Sequence, residues 1–163
     1  MKKSDSVARI LTKTQDHWPE SAAQITPAIL RMHRIHTYLH KNLERVLVPY
    51  QLQAADFSVL ETLRKEAPPH CLSPTQLYSA MLFSSGGLTK VLGRLQQADL
   101  IQRLDNPSDK RSKLVQLTAC GKQLIDQVII NLHISEQPAI NTLSKQEQQT
   151  LDSLLTKLLA HWE

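Results

Sequence analysis

What this sequence lacks narrows its function first. It has two cysteines in 163 residues, Cys71 and Cys120, and no Cys-x-x-Cys spacing. That excludes the usual structural zinc and dithiol redox motifs and fits a chain whose thiols stay reduced. Aromatic residues make up 4%, too few for the stacking platforms of proteins that hold single-stranded nucleic acid. No apolar run approaches a membrane span, and Met1-Lys2-Lys3-Ser4-Asp5 leads into no hydrophobic segment. The expectation is a cytoplasmic protein with no membrane partner. Enzyme signatures are missing as well. Gly86-Gly87 is not followed by the lysine and serine of a phosphate loop, and neither a nucleophile–base pair nor paired carboxylates stand out. No catalytic residue, cofactor or resident metal is expected.

What is present is a core-forming apolar content of 41% and a net charge of +4. The charge is unevenly spread. Residues 1–53 hold eight Lys or Arg against four Asp or Glu, residues 54–117 eight against six, and residues 118–163 three against five. Within residues 84–113 the balance is six against three. A basic excess that avoids the C-terminal third permits a polyanionic partner.

The stretch from Leu72 to Gly121 organises the rest. Ser73 precedes Pro74 and stands three before Gln76, a capping box with proline at the first helical position. That helix carries Leu77, Ala80 and Met81. Leu82 and Phe83 make a turn, and Ser84 or Ser85 caps a second helix with Leu88, Val91, Leu92 and Leu95 on its apolar side. Its other side offers Ser85, Gly86, Thr89, Lys90 and Arg94, small, hydroxylated or cationic groups that suit phosphates and base edges. Two strands follow, Leu100-Ile101-Gln102-Arg103-Leu104 and Lys113-Leu114-Val115-Gln116-Leu117. Between them Asn106-Pro107-Ser108-Asp109 is turn chemistry, and Lys110 and Arg111 stand at the tip. A helix-turn-helix followed by a basic hairpin is a winged helix: the helix suits the major groove of duplex DNA, the hairpin arginine the minor groove.

These residues resemble the MarR (multiple antibiotic resistance regulator) family of bacterial transcription regulators. The likeness is carried by Leu72-Ser73-Pro74, Ser84-Ser85-Gly86, Thr89, Arg94-Leu95, Leu100-Ile101, the run from Asp105 to Arg111, and Val115-Gln116-Leu117-Thr118 with Gly121. Asp109 and Arg111, flanking one residue and followed by a Leu-Thr strand end, form its most specific signature. Gly93 departs from the pattern. A glycine inside a helix is about 1 kcal/mol less favourable than alanine, and close packing is the expected reason.

Around this unit the spacing predicts further helices. Val7, Ile10 and Leu11 mark a short amphipathic helix or arm. Ile25, Ala28, Ile29, Met32, Ile35, Leu39, Leu43 and Val46 mark a helix over 25–47 that Pro49 stops. A helix over 51–65 turns Phe57, Leu60 and Leu63 inward, and Cys71-Leu72 adds a short strand to the wing sheet. Thr118 caps a helix to about residue 143 that Pro138 should kink or divide. Ser144 and Glu147 form a second capping box before the stripe Leu151, Leu154, Leu155, Leu158, Leu159 and Trp162. His33, His36 and His40 share one side of their helix. They can chelate a metal, or they are polar edge residues beside a buried seam. Cys71 is expected to be a packed thiol, Cys120 a small core residue.

The resemblance implies a mainly α chain: a winged helix-turn-helix lobe over 49–118 between an N-terminal arm and dimerisation helix over 1–48 and C-terminal dimerisation helices over 119–163. It implies a homodimer on pseudo-palindromic double-stranded DNA, with repression the better expectation, modulated by a small-molecule effector. Ser84, Ser85, Gly86, Thr89, Lys90, Arg94, Lys110, Arg111 and Lys113 are the expected DNA contacts. Asp109 is expected to shape the wing by pairing with Arg111 or Arg94. His33, His36, His40, Tyr50 and Phe57 are the candidates for an effector pocket. A metal- or thiol-responsive sensor of the same fold is the alternative.

Overall fold

The computed structural model describes residues 5–81, 87–107 and 112–163. The chain is mainly α with one three-stranded sheet, and it forms two compact units, Met1–Asn42 and Leu43–Glu163.

The first unit holds α1 (Val7–His17), α2 (Pro19–Ala22) and most of α3 (Pro27–Leu47). Ser6 caps α1 by accepting from the Arg9 amide at 3.1 Å. Asp5 takes Lys13 at 2.6 Å and Arg9 at 3.4 Å, and these cations hold its carboxyl below the usual range. Val7, Ile10, Leu30, His33, Arg34 and Thr37 line a cleft of about 260 Å³ within this unit.

In the second unit a 3-10 turn, Val48–Tyr50, leads to Gln51 in the left-handed region at φ 55°. This turn delays α4, which runs over Ala54–Lys65 and not from residue 51. The Gln53 amide donates to Asp56 Oδ2 at 2.9 Å, so a buried carboxylate closes the helix start. Then come β1 (Cys71–Leu72), α5 (Pro74–Ala80), α6 (Leu88–Gln97), β2 (Ile101–Asp105), β3 (Lys113–Leu117), α7 (Ala119–Ile140) and α8 (Lys145–Leu159). The sheet order is β1-β3-β2, antiparallel throughout, with Ile101 opposite Leu117, Arg103 opposite Val115 and Cys71 opposite Gln116. Strand alternation turns Ile101, Val115 and Leu117 inward to a core shared with Leu60 and Leu63 of α4, Leu77 of α5, Val91 and Leu95 of α6, and Ile125 and Val128 of α7.

Pro138 does not divide α7, which ends at Ile140 and not near residue 143. Proline removes one hydrogen bond, to the carbonyl of residue 134. It stands two residues from the helix end, and Ile134 is exposed, so water can satisfy that carbonyl. Among the described residues no helix is long and apolar enough to cross a membrane.

Candidate nucleic-acid interface

α5 and α6 form the helix-turn-helix. The capping box at α5 is present as the spacing predicts: the Gln76 amide donates to Ser73 Oγ at 3.3 Å, and the Ser73 amide to Gln76 Oε1 at 3.0 Å. Leu77 is fully buried beneath it. α6 buries Val91, Leu92 and Leu95. Its N-cap is Gly87 at φ +93°, a conformation open to glycine, and not Ser84 or Ser85. Ser84, Ser85 and Gly86 lie outside the described residues, as do Asp109, Lys110 and Arg111.

The described residues place four expected DNA contacts. Thr89 and Lys90 are exposed on the solvent side of α6. Arg94 is turned toward α4: its Nη2 donates to Asp56 Oδ1 at 2.8 Å and to Gln53 Oε1 at 3.0 Å. Among the described residues the carboxylate that holds Arg94 is Asp56, which the sequence reading passed over. Arg94 fastens the second helix of the pair to α4, leaving its other guanidinium edge for any further contact. Lys113 is paired with Asp105, directly opposite on β2. Both are well exposed, so water screens the pair and leaves the lysine exchangeable.

Sequence reasoning missed Arg103. With Lys113, Asn106 and Ser112 of the hairpin it lines a groove of about 710 Å³ whose other wall is Ser73, Pro74, Thr75 and Gln76 at the start of α5. Asn106 Nδ2 donates to Ser112 Oγ at 2.8 Å and closes the hairpin base. The signal was available: Arg103 stands two residues after inward-facing Ile101, so a cation interrupts the apolar alternation of that strand. Groove, hairpin and exposed helix side together offer hydroxyls, an amide and cations, the groups that engage phosphates and base edges.

The other candidates fall in both units. His33, His36 and His40 are exposed on α3, with the His36 and His40 rings stacked at 6.2 Å. In the second unit Tyr50 receives a hydrogen bond from Asn131 of α7. Phe57 is 3% exposed and belongs to the core, so it offers a ligand no surface. Gly93 is not explained by close packing, because beyond its own helix backbone and chain neighbours no described atom lies within 4 Å of a Cβ built on it. Cys71 is half-buried, and burial pushes its thiol up from the usual value. Cys120 is exposed in the first turn of α7, not the core residue expected, because the buried side of that turn is taken by Gly121. Among the described residues no group of three or more His, Cys, Asp or Glu is arranged to hold a metal ion.

Comparison with known proteins places this geometry. A model of the MarR family matches residues 50–112. The transcriptional regulator PecS of Dickeya dadantii is 29% identical over 155 residues, covering 95% of this chain and 93% of the relative. The multiple antibiotic resistance protein MarR of Escherichia coli K12 is 34% identical over 140 residues, covering 83% of this chain and 93% of the relative. A crystal structure of an E. coli MarR variant complexed with operator DNA superposes with a TM-score of 0.71 at 32% identity, covering 83% of this chain and 96% of that one.

Proposed function

Because this chain belongs to the MarR family of transcription regulators, we propose that it binds a pseudo-palindromic duplex operator as a homodimer, represses from it, and is modulated by a small-molecule effector. The observations that carry this reading are an exposed side of α6 bearing Thr89 and Lys90 and, in the same unit, a groove between the start of α5 and the hairpin that holds Arg103 and Lys113. In this reading α6 enters the major groove. Arg111 enters the minor groove, Lys110 and Lys113 hold flanking phosphates, and Ser84, Ser85 and Gly86 meet phosphate at the helix entry. Asp109 shapes the wing. Thr75 and Arg103 join the phosphate contacts.

Dimerisation is supported by α8. It has no buried residue, Leu154 in its apolar stripe is 61% exposed, and Trp162 in the turn just past its end is 70% exposed. A leucine face of this kind is stable only when covered. One recognition helix reads a few base pairs, while a two-fold pair reads two half-sites one turn apart. A bound dimer blocks polymerase without further machinery, which favours repression. The effector acts by population shift, binding better to the spacing of recognition helices that does not fit the operator. His33, His36 and His40 remain candidates for its contacts.

Selection of bound sequences from a random duplex library tests the reading, with affinities then measured on the recovered site. Enrichment of an inverted repeat is expected. Arg111→Ala should weaken binding to it by about 1–3 kcal/mol. No enrichment over the input pool rejects operator binding, and equal affinity of wild type and variant at fixed salt rejects the role of Arg111.

A further inference from the structure

α6 carries a glycine where its own fold needs none. Gly93 lies in the middle of Leu88–Gln97, and glycine is among the poorest residues for a helix interior. Two internal reasons ordinarily retain one: a left-handed backbone, or a neighbour that a Cβ would strike. Gly93 has neither. Its φ is not positive, and beyond its own helix backbone and chain neighbours no described atom stands within 4 Å of where its Cβ would be.

Its position supplies another reason. At roughly 100° per residue, Leu88, Val91, Leu92 and Leu95 share the face of α6 that packs on the core. Gly93 falls on the opposite face. Its neighbours there, three and four residues away in each direction, are Thr89, Lys90, Gln96 and Gln97, all exposed. Bare backbone is thus the centre of a polar patch of one hydroxyl, one cation and two amides. The helix cannot swing aside to make room for a partner. Val91, Leu92 and Leu95 are at most 4% exposed, and Arg94 ties the next position to Asp56 and Gln53 of the α4 start.

We propose that Gly93 sets the depth at which α6 seats in the major groove of DNA. The groove is about 12 Å wide, and a helix with its side chains is about 10–12 Å across, so the residue at the centre of the inserted face controls approach. A bare Cα there brings Thr89 and the Gln96 and Gln97 amides within reach of base edges, with glutamine suited to the N6/N7 edge of adenine. A side chain at position 93 holds all of them off. Helix stability is given up for contact depth. This inference rests on the operator-binding reading above.

The test is a substitution series in the full-length protein, Gly93→Ala and Gly93→Gln. Thermal unfolding, sedimentation, and titration with the selected operator and a scrambled duplex at fixed salt are measured in parallel. The expected result has opposite signs. Gly93→Ala melts higher than wild type, yet its operator affinity falls roughly fivefold to a hundredfold, the size of one lost base contact. Gly93→Gln loses more. Affinity for scrambled duplex, which is carried by phosphate contacts, stays within about twofold. Three results overturn the proposal while leaving operator binding intact: wild-type operator affinity in Gly93→Ala, a lower melting temperature for that variant, or an altered dimer. A wild-type protein that prefers no sequence instead removes the operator reading itself.

Discussion

At Gly121 a hydrogen atom decides where α7 can begin. A Cβ there would stand 2.0 Å from the Leu100 carbonyl oxygen and 2.9 Å from its carbon. Backbone atoms of a neighbouring segment cannot rotate away as a side-chain tip can. The segment is further pinned, because Thr118 Oγ1 donates to the Asp99 carbonyl at 2.6 Å and accepts from the Gly121 amide at 2.9 Å. Gly121→Ala should therefore destabilise the fold by about 1–3 kcal/mol, the range for overpacking. Urea unfolding checks it, and an unchanged midpoint contradicts the close approach. Gly93 is the opposite case, half-exposed, with open space where a Cβ would stand. The two look alike in the sequence and differ only in what the fold brings near them. Asp56 teaches the same lesson. It is 4% exposed, and its partner Arg94 is 38 residues away, so no spacing rule announces the pair.

At the scale of elements, local chemistry was legible and boundaries were less so. Both capping boxes, at Ser73 and Ser144, are readable because donor and acceptor are three residues apart and any helix starting there must satisfy its free amides. β3 is readable because Gln116 separates inward-facing Val115 and Leu117. The start of α4 was not, since the left-handed Gln51 that sets it belongs to no common turn signal. α8 offers an element-scale prediction. The Ser144 hydroxyl and amide both donate to Glu147 Oε2, at 2.7 and 2.8 Å, and these bonds hold the Glu147 carboxyl below its usual range. A lowered carboxyl contributes stability above its unfolded value, and that contribution is lost as pH falls through the folded one. Ser144→Ala should speed hydrogen exchange of the first-turn amides of α8 at neutral pH, with the gap from wild type narrowing in acid. Equal exchange at neutral pH would remove the cap from the account.

For the molecule as a whole, the proposed homodimer makes the apolar stripe of α8 the place to test folding and assembly apart. Leu154 is 61% exposed in one chain. Leu154→Glu should leave unfolding stability of an isolated chain within about 0.5 kcal/mol. It should shift sedimentation from dimer to monomer, and operator affinity should fall with it, since two linked half-sites are lost. A dimer that persists in Leu154→Glu would exclude this face from the interface.

The sequence by itself determined the capped starts of α5, α7 and α8, the winged-helix order of elements and the family, because each depends on residues within a few positions of one another or on a short linear signature. Only the tertiary structure decided that Arg94 answers to Asp56, that Arg103 joins the hairpin groove, that Phe57 is core and Cys120 surface, and that Arg64 pairs with Asp126 across 62 residues at 2.7 Å. Those outcomes depend on which distant segments pack together, and burial and ion pairing are properties of that packing, not of order along the chain.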